Sequence, residues 1–211
     1  GGEILPRRRH LLRHARVLET ALGLGTVLPM RFGMLAASPS DVAARLAAQR
    51  AAVDCALARV RGHVELGVRV SVPAPVALAT LLRELPELAR ARDRLAQAGA
   101  AGHFETAAFG RRLGEALAQR RTQAQKHLLR GLKPLAADHV LGAPSTDFEL
   151  LRAEFLLAHG AVRAFQDGLA ELVKDVALSG ETAADVQMVG PGPAYHFVDL
   201  SLDHAPGEAA A

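Results

Sequence analysis

His10 and His14 stand four residues apart in RRRHLLRHAR, a stretch that reads as helix. At that spacing two imidazoles share a face and can hold a metal ion. A metal centre needs further ligands, and none stands at a recognisable spacing. Arg7, Arg8, Arg9 and Arg13 surround the pair and repel a cation, so it reads as a solvated basic face. His63 and Glu65 lie two apart, on one face of a strand. Acid–base work there would require a third group, and packing or an ion pair is the expectation. The single cysteine, Cys55, sits among Ala51, Ala52 and Ala56 and reads as helix core. Basic doublets at Arg111–Arg112 and Arg120–Arg121, followed by Lys126 and Arg130, suggest a nucleic-acid footprint. Glu105 and Glu115 interrupt it, and no aromatic residues are interleaved for base stacking. Phosphate loops, nucleophile elbows and paired carboxylates are missing from the sequence. No catalytic, cofactor-binding or metal residue is assigned, and an enzyme is not expected.

The elements that position these residues follow from hydrophobic spacing. Leu11, Ala15, Leu18 and Leu22 predict a helix over residues 7–22, ended by Gly23 and Gly25. TVLPMRF reads as a short edge strand because of Pro29. Ser38 and Pro39 read as N-cap and first residue of a helix. Val42, Leu46, Val53, Leu57 and Val60 carry it to Gly62. Val64, Leu66, Val68, Val70 and Val72 alternate as the clearest strand. Leu78, Leu81, Leu82, Leu85, Leu88 and Leu95 form a heptad-like, coiled-coil seam that Pro86 kinks or restarts. Gly99 and Gly102 predict a turn into a helix over residues 104–132, so the two stretches form an antiparallel hairpin. Strands follow at 139–141 and around Leu151, Ala153, Phe155 and Leu157. A helix faced by Val162, Phe165, Leu169, Leu172 and Val176 leads to Gly180 and a last strand at Val186 and Met188. From Val64 the order is β-α-β-β-α-β, the ferredoxin-like split βαβ pattern.

The predicted fold class is therefore α+β. A small, incomplete α/β N-terminal domain (1–61) precedes a ferredoxin-like domain (62–204). That domain carries an inserted helical hairpin (about 77–132) and an extended tail (190–204), with 205–211 expected to be disordered. In the tail, Gly190, Pro191, Gly192 and Pro193 form a strand-breaking knot. Tyr195 and Phe197, two of only eight aromatics, follow it and dock the tail together with Val198, Leu200 and Leu202. Among 211 residues, no apolar run reaches the ~20 needed to span a bilayer. No signal-peptide apolar region and no disulfide partner for Cys55 are present, so cytoplasmic residence is the expectation. Residues 1–146 hold 22 Lys and Arg against 11 Asp and Glu; residues 147–211 hold 3 against 11. The halves carry net charges of +11 and −8, a dipolar chain able to pair with itself or with partners of either sign.

Four segments together resemble the gas vesicle protein F/L family (GvpF/GvpL). They are TVLPMRFG (26–33), GHVELGVRV (62–70), LLRAEFLLA (150–158) and VGPGPAYHFVDLSL (189–202), in the family's order. The family's tail motif reads Gly-Pro-Trp-Pro-Pro-Tyr; here Gly192 stands at the Trp position and Ala194 at the second Pro of that pair. The family's first strands should precede Arg7 and are not found. The chain opens on Gly rather than Met, so a sequence truncated or incompletely represented at its N-terminus is expected.

The resemblance implies a non-enzymatic accessory or minor shell-associated protein, located at the gas vesicle in the cytoplasm. It would bind the main shell protein and other gas vesicle proteins, with no cofactor, nucleic acid or membrane as partner. It also implies residue roles. Pro29, Phe32 and Gly33 shape an edge turn, and Arg31 pairs with Glu65 across strands. Gly190, Pro191 and Pro193 set the tail's path, and Tyr195 and Phe197 pin it. Two alternatives stay open: a ferredoxin-like interaction module unrelated to vesicles, and a basic helical nucleic-acid-binding protein. The motifs do not separate the F from the L member or fix the oligomeric state.

Overall fold

A computed structural model describes residues 7–34, 36–98, 103–176 and 184–200. Helix α1 (Arg8–Leu24) ends where the Gly25 N–H bonds the Ala21 carbonyl; of the two glycines expected to end it, Gly23 is still helical and Gly25 is the cap. Residues 26–32 form no strand. Pro29 has no N–H for a ladder, and the segment instead offers Leu28 to a buried cluster. Ser38 caps α2 (Pro39–Ala48) as predicted, its Oγ accepting from the Asp41 N–H at 3.1 Å. The single helix expected up to Gly62 is two. Gln49, at φ −108° and ψ 19°, separates α2 from α3 (Arg50–Val60). Cys55 is exposed rather than core, because α3 turns Val60 inward and Cys55 away.

Four strands make one antiparallel sheet, in the order β2-β3-β1-β4. They are β1 (His63–Ser71), β2 (Asp138–Leu141), β3 (Glu149–Ala158) and β4 (Asp185–Gly192). The Val72 N–H bonds the Phe148 carbonyl and the His159 N–H bonds the Gly62 carbonyl, so β1 and β3 run antiparallel. β1 is an inner strand, and Val64 through Val68 are all buried, which is what cover on both faces produces. β4 is an edge and mostly exposed. The predicted strand break is absent: β4 runs through Gly190-Pro191 to Gly192, and the Gly190–Pro191 bond is cis. An edge strand tolerates proline because one row of its N–H groups is unpaired anyway.

By contacts the chain forms two compact units. One comprises Gly1–Leu66, Leu156–His159 and Gly190–Ala211; the other comprises Gly67–Phe155 and Gly160–Val189. The first holds α1–α3. Its core includes Val60, Leu66, Leu156, Ala194 and Phe197. The second holds α4 (Ala74–Glu84), α5 (Pro86–Ala98), α6 (His103–Leu132) and α7 (Val162–Val176). Pro86 restarts the helix: Leu85 before it lies at φ −119°, ψ 82°, outside the helical region a pre-proline residue avoids. α4 packs on α5, α5 on α6 and α6 on α7. Gly131 permits the last approach, since a Cβ there would lie 2.5 Å from Leu172 Cδ1. Phe155 and Phe165, both fully buried, meet at 4.8 Å between ring centres. The predicted turn at Gly99 and Gly102 and the stop at Gly180 lie outside the described residues.

Candidate functional site

The residues singled out in the tail converge in the first unit. β1 carries Glu65 in a buried position, 8 % exposed. A buried carboxylate needs donors, and His196 supplies two. Its backbone N–H donates to Glu65 Oε2 at 2.8 Å, and its Nδ1 lies 2.7 Å from Oε1. With the carboxylate as acceptor, Nδ1 carries the proton. Gly190, at φ +112°, lies against the same strand; a Cβ there would be 2.7 Å from the Glu65 carbonyl oxygen. Only glycine meets both conditions without strain. The chain then turns at residues 195–197, where the Tyr195 N–H bonds the Pro193 carbonyl.

Phe197 and Tyr195 differ. Phe197 is 3 % exposed and packs with Val60, Leu156 and Ala194, with Leu28 and Val198 partly covering the cluster. Tyr195 is 41 % exposed. Partial burial, with the charges of Glu65 and Glu19, holds its phenol above the ordinary value. The expected Arg31–Glu65 pair is not formed. With residues 26–32 outside any ladder, no register aligns the two, and Glu65 takes His196 instead. Arg31 lines a cleft with Pro29, Tyr195 and Asp199. Gly33 takes φ +93°, a turn conformation, and Phe32 sets its ring edge-on to His14 at 5.6 Å.

Beside this cleft lies an apolar groove of ≈240 Å³. Leu28, Pro29, Met30 and Met34 form one wall, Leu46, Val53 and Leu57 of α2 and α3 another, and Val198 and Leu200 a third. The sequence reads Leu46, Val53 and Leu57 as core-facing; they line an open groove. His196 and Met34 carry no signal in the sequence that marks them. His196 looks like one of nine scattered histidines until Glu65 is placed beside it. The groove has the chemistry of a docking surface for apolar polypeptide. Its described lining holds no nucleophile or acid–base pair. No described helix is long and apolar enough to cross a membrane.

Known proteins agree with the motif pattern. Residues 1–199 match the family model for gas vesicle synthesis protein GvpL/GvpF. The chain is 30 % identical over 200 residues to gas vesicle protein F of Streptomyces sp. (strain CB03234), covering 93 % of this chain and 80 % of that one. Its fold is similar to the crystal structure of GvpF from Anabaena sp. PCC7120 (TM-score 0.79, 22 % identity, 93 % of this chain and 80 % of that one). It is also similar to that of GvpF from Microcystis aeruginosa (TM-score 0.72, 20 % identity, 94 % and 81 %). The resemblance seen in four short segments thus extends along the described sheet and helices, and the chain belongs to the GvpL/GvpF family of gas vesicle synthesis proteins.

Proposed function

We propose that this chain acts without catalysis in gas vesicle assembly, binding the main shell protein and other gas vesicle proteins at the vesicle in the cytoplasm. The match to gas vesicle synthesis proteins across residues 1–199 carries this reading. The groove walled by Met30, Leu46, Leu57 and Leu200 supports it physically. An apolar shell protein must be shielded until it assembles, and an open apolar groove offers that shielding. Pro29, Phe32 and Gly33 would shape one wall. Gly190, Pro191, Pro193, Tyr195 and Phe197 would hold the tail that forms another, with Arg31 at the neighbouring cleft and Glu65 fixing the tail through His196.

The strand order β2-β3-β1-β4 supports a ferredoxin-like reading of residues 62–204; residues 1–61 would be a preceding N-terminal domain, with which the segment from Gly190 groups by its contacts. α4 and α5 as one arm and α6 as the other (about 77–132) would be its inserted hairpin. Co-purification with the main shell protein tests the function. The intact chain is expected to retain the shell protein, and Leu57→Glu with Met30→Glu to release it. Vesicles that form normally after deletion of the gene would overturn the reading.

A further inference from the structure

The outward face of α1 is unusually basic. With Leu18 buried, helical geometry turns Arg9, Arg13 and Arg16 to the opposite side, at spacings of four and three. Exposed Leu12 and Val17 flank this stripe. Arg7 and Arg8 add to the charge, and among the described residues no carboxylate pairs with any of the five. Glu19, three residues on from Arg16, is the one carboxylate of α1, and five exposed guanidiniums against it form a surface that favours an anionic partner.

A matching surface exists on the same chain. α7 buries Phe165, Leu169 and Val173, which turns Asp167, Glu171 and Asp175 outward at spacings of four. Each of the three side chains is at least 65 % exposed, and Ala164 lies among them without bulk. Their present partners are weak ones. Arg163 stands 4.0 Å from Asp167, Lys174 2.6 Å from Glu171, and His127 3.4 Å from Asp175. Exposed pairs of this kind contribute little and exchange readily. The two stripes are similar in length, about 11 and 12 Å at 1.5 Å per residue. They also reproduce, at the scale of single helices, the +11 and −8 split between the halves of the chain.

We infer that copies of this chain associate head to tail, the arginine stripe of α1 in one copy docking on the carboxylate stripe of α7 in the next. Because the two surfaces differ, each contact joins unlike faces; made once per pair it propagates into rings or open chains, and made reciprocally it closes a two-fold pair. Held together mainly by exposed charges, the assembly dissociates as salt shortens the screening length.

Sedimentation velocity on the full chain tests this. Association is expected at about 50 mM salt and a tenfold or greater weakening at about 500 mM. Arg9→Glu/Arg13→Glu/Arg16→Glu and Asp167→Arg/Glu171→Arg/Asp175→Arg should each be monomeric alone. Mixed, they should associate again, since each supplies the surface complementary to the other's. Glutamine versions of both triples, with circular dichroism, separate lost docking from lost folding. A wild type that stays monomeric at low salt overturns the inference. So does loss of association in the α1 variant with retention in the α7 variant. Binding of the α1 stripe to phosphatidylserine vesicles or duplex DNA, with no self-association, would assign it to a lipid or nucleic-acid partner instead and equally overturn it.

Discussion

The two compact units treat similar residues differently. In the second, the helices and strands close over their leucines and phenylalanines: Leu128, Leu132, Leu151, Phe155, Phe165 and Leu169 are all buried. In the first, α2 buries nothing and α3 only Val60, while Leu46, Val53 and Leu57 line an open groove. Apolar stripes of the same periodicity thus serve closure in one place and availability in the other. Burial removes apolar area from water at about 25 cal/mol per Å². An uncovered stripe leaves that free energy for a partner to realise.

Four measurements break or sharpen this contrast. Phe165→Ala empties a fully buried site against Phe155 and is expected to destabilise by about 3–5 kcal/mol in chemical denaturation. A cost below about 1 kcal/mol would mean that the second unit is not closed as described. Gly190→Ala tests a tightly determined stretch of the first unit. Positive φ and the clash with the Glu65 carbonyl predict a loss of roughly 1–3 kcal/mol. If stability is unchanged, the tail is not held against β1.

Glu149 provides a pH test of the second unit. Burial pushes its carboxyl up, but the Ser145 backbone N–H and hydroxyl and the Arg152 guanidinium outweigh that and bring it below its ordinary value of 4.5. A lowered folded value means stability present above pH 4.5 and lost as pH falls through the lower folded value. Glu149→Gln should therefore cost roughly 1–2 kcal/mol at neutral pH. That gap should close in acid, as read from melting curves across pH; a constant gap would refute the linkage. The smallest effect is expected at Leu46→Ala. Leu46 is 40 % exposed, so stability should shift by no more than about 0.5 kcal/mol, while retention of the main shell protein falls. A large loss of stability there would show the groove to be core.

Where the sequence reads well, local pattern and final packing ask for the same thing. α7 shows Phe165 and Leu169 inward as its periodicity demands. α6 runs from His103 to Leu132, within a residue of expectation, despite Gly110 and Gly114. Ser38–Pro39 places a helix start correctly because a cap is a local hydrogen bond. Reading fails where the answer is non-local. Residues 26–32 have strand-like composition, but a strand needs a neighbour to pair with. Gln49 interrupts a run of good helix formers, and no Pro or Gly announces it. Hydrophobic spacing identifies the face holding Leu46, Val53 and Leu57, yet says nothing about whether anything covers that face. The motif residues of the tail were visible; the Glu65–His196 bond that fixes the tail was not, because nothing in spacing ties two residues 131 positions apart.

That separation has a consequence for a nascent chain. Among the described strands β1 is made before the others, and β4, its neighbour in the sheet, after them. At ~5–20 residues per second, the 131 residues between Glu65 and His196 take roughly 7 to 26 s to emerge. For that interval β1 offers a bare edge, and a carboxylate destined for burial stays hydrated. Sealing of the sheet is thereby deferred until the ribosome has delivered almost the whole described polypeptide.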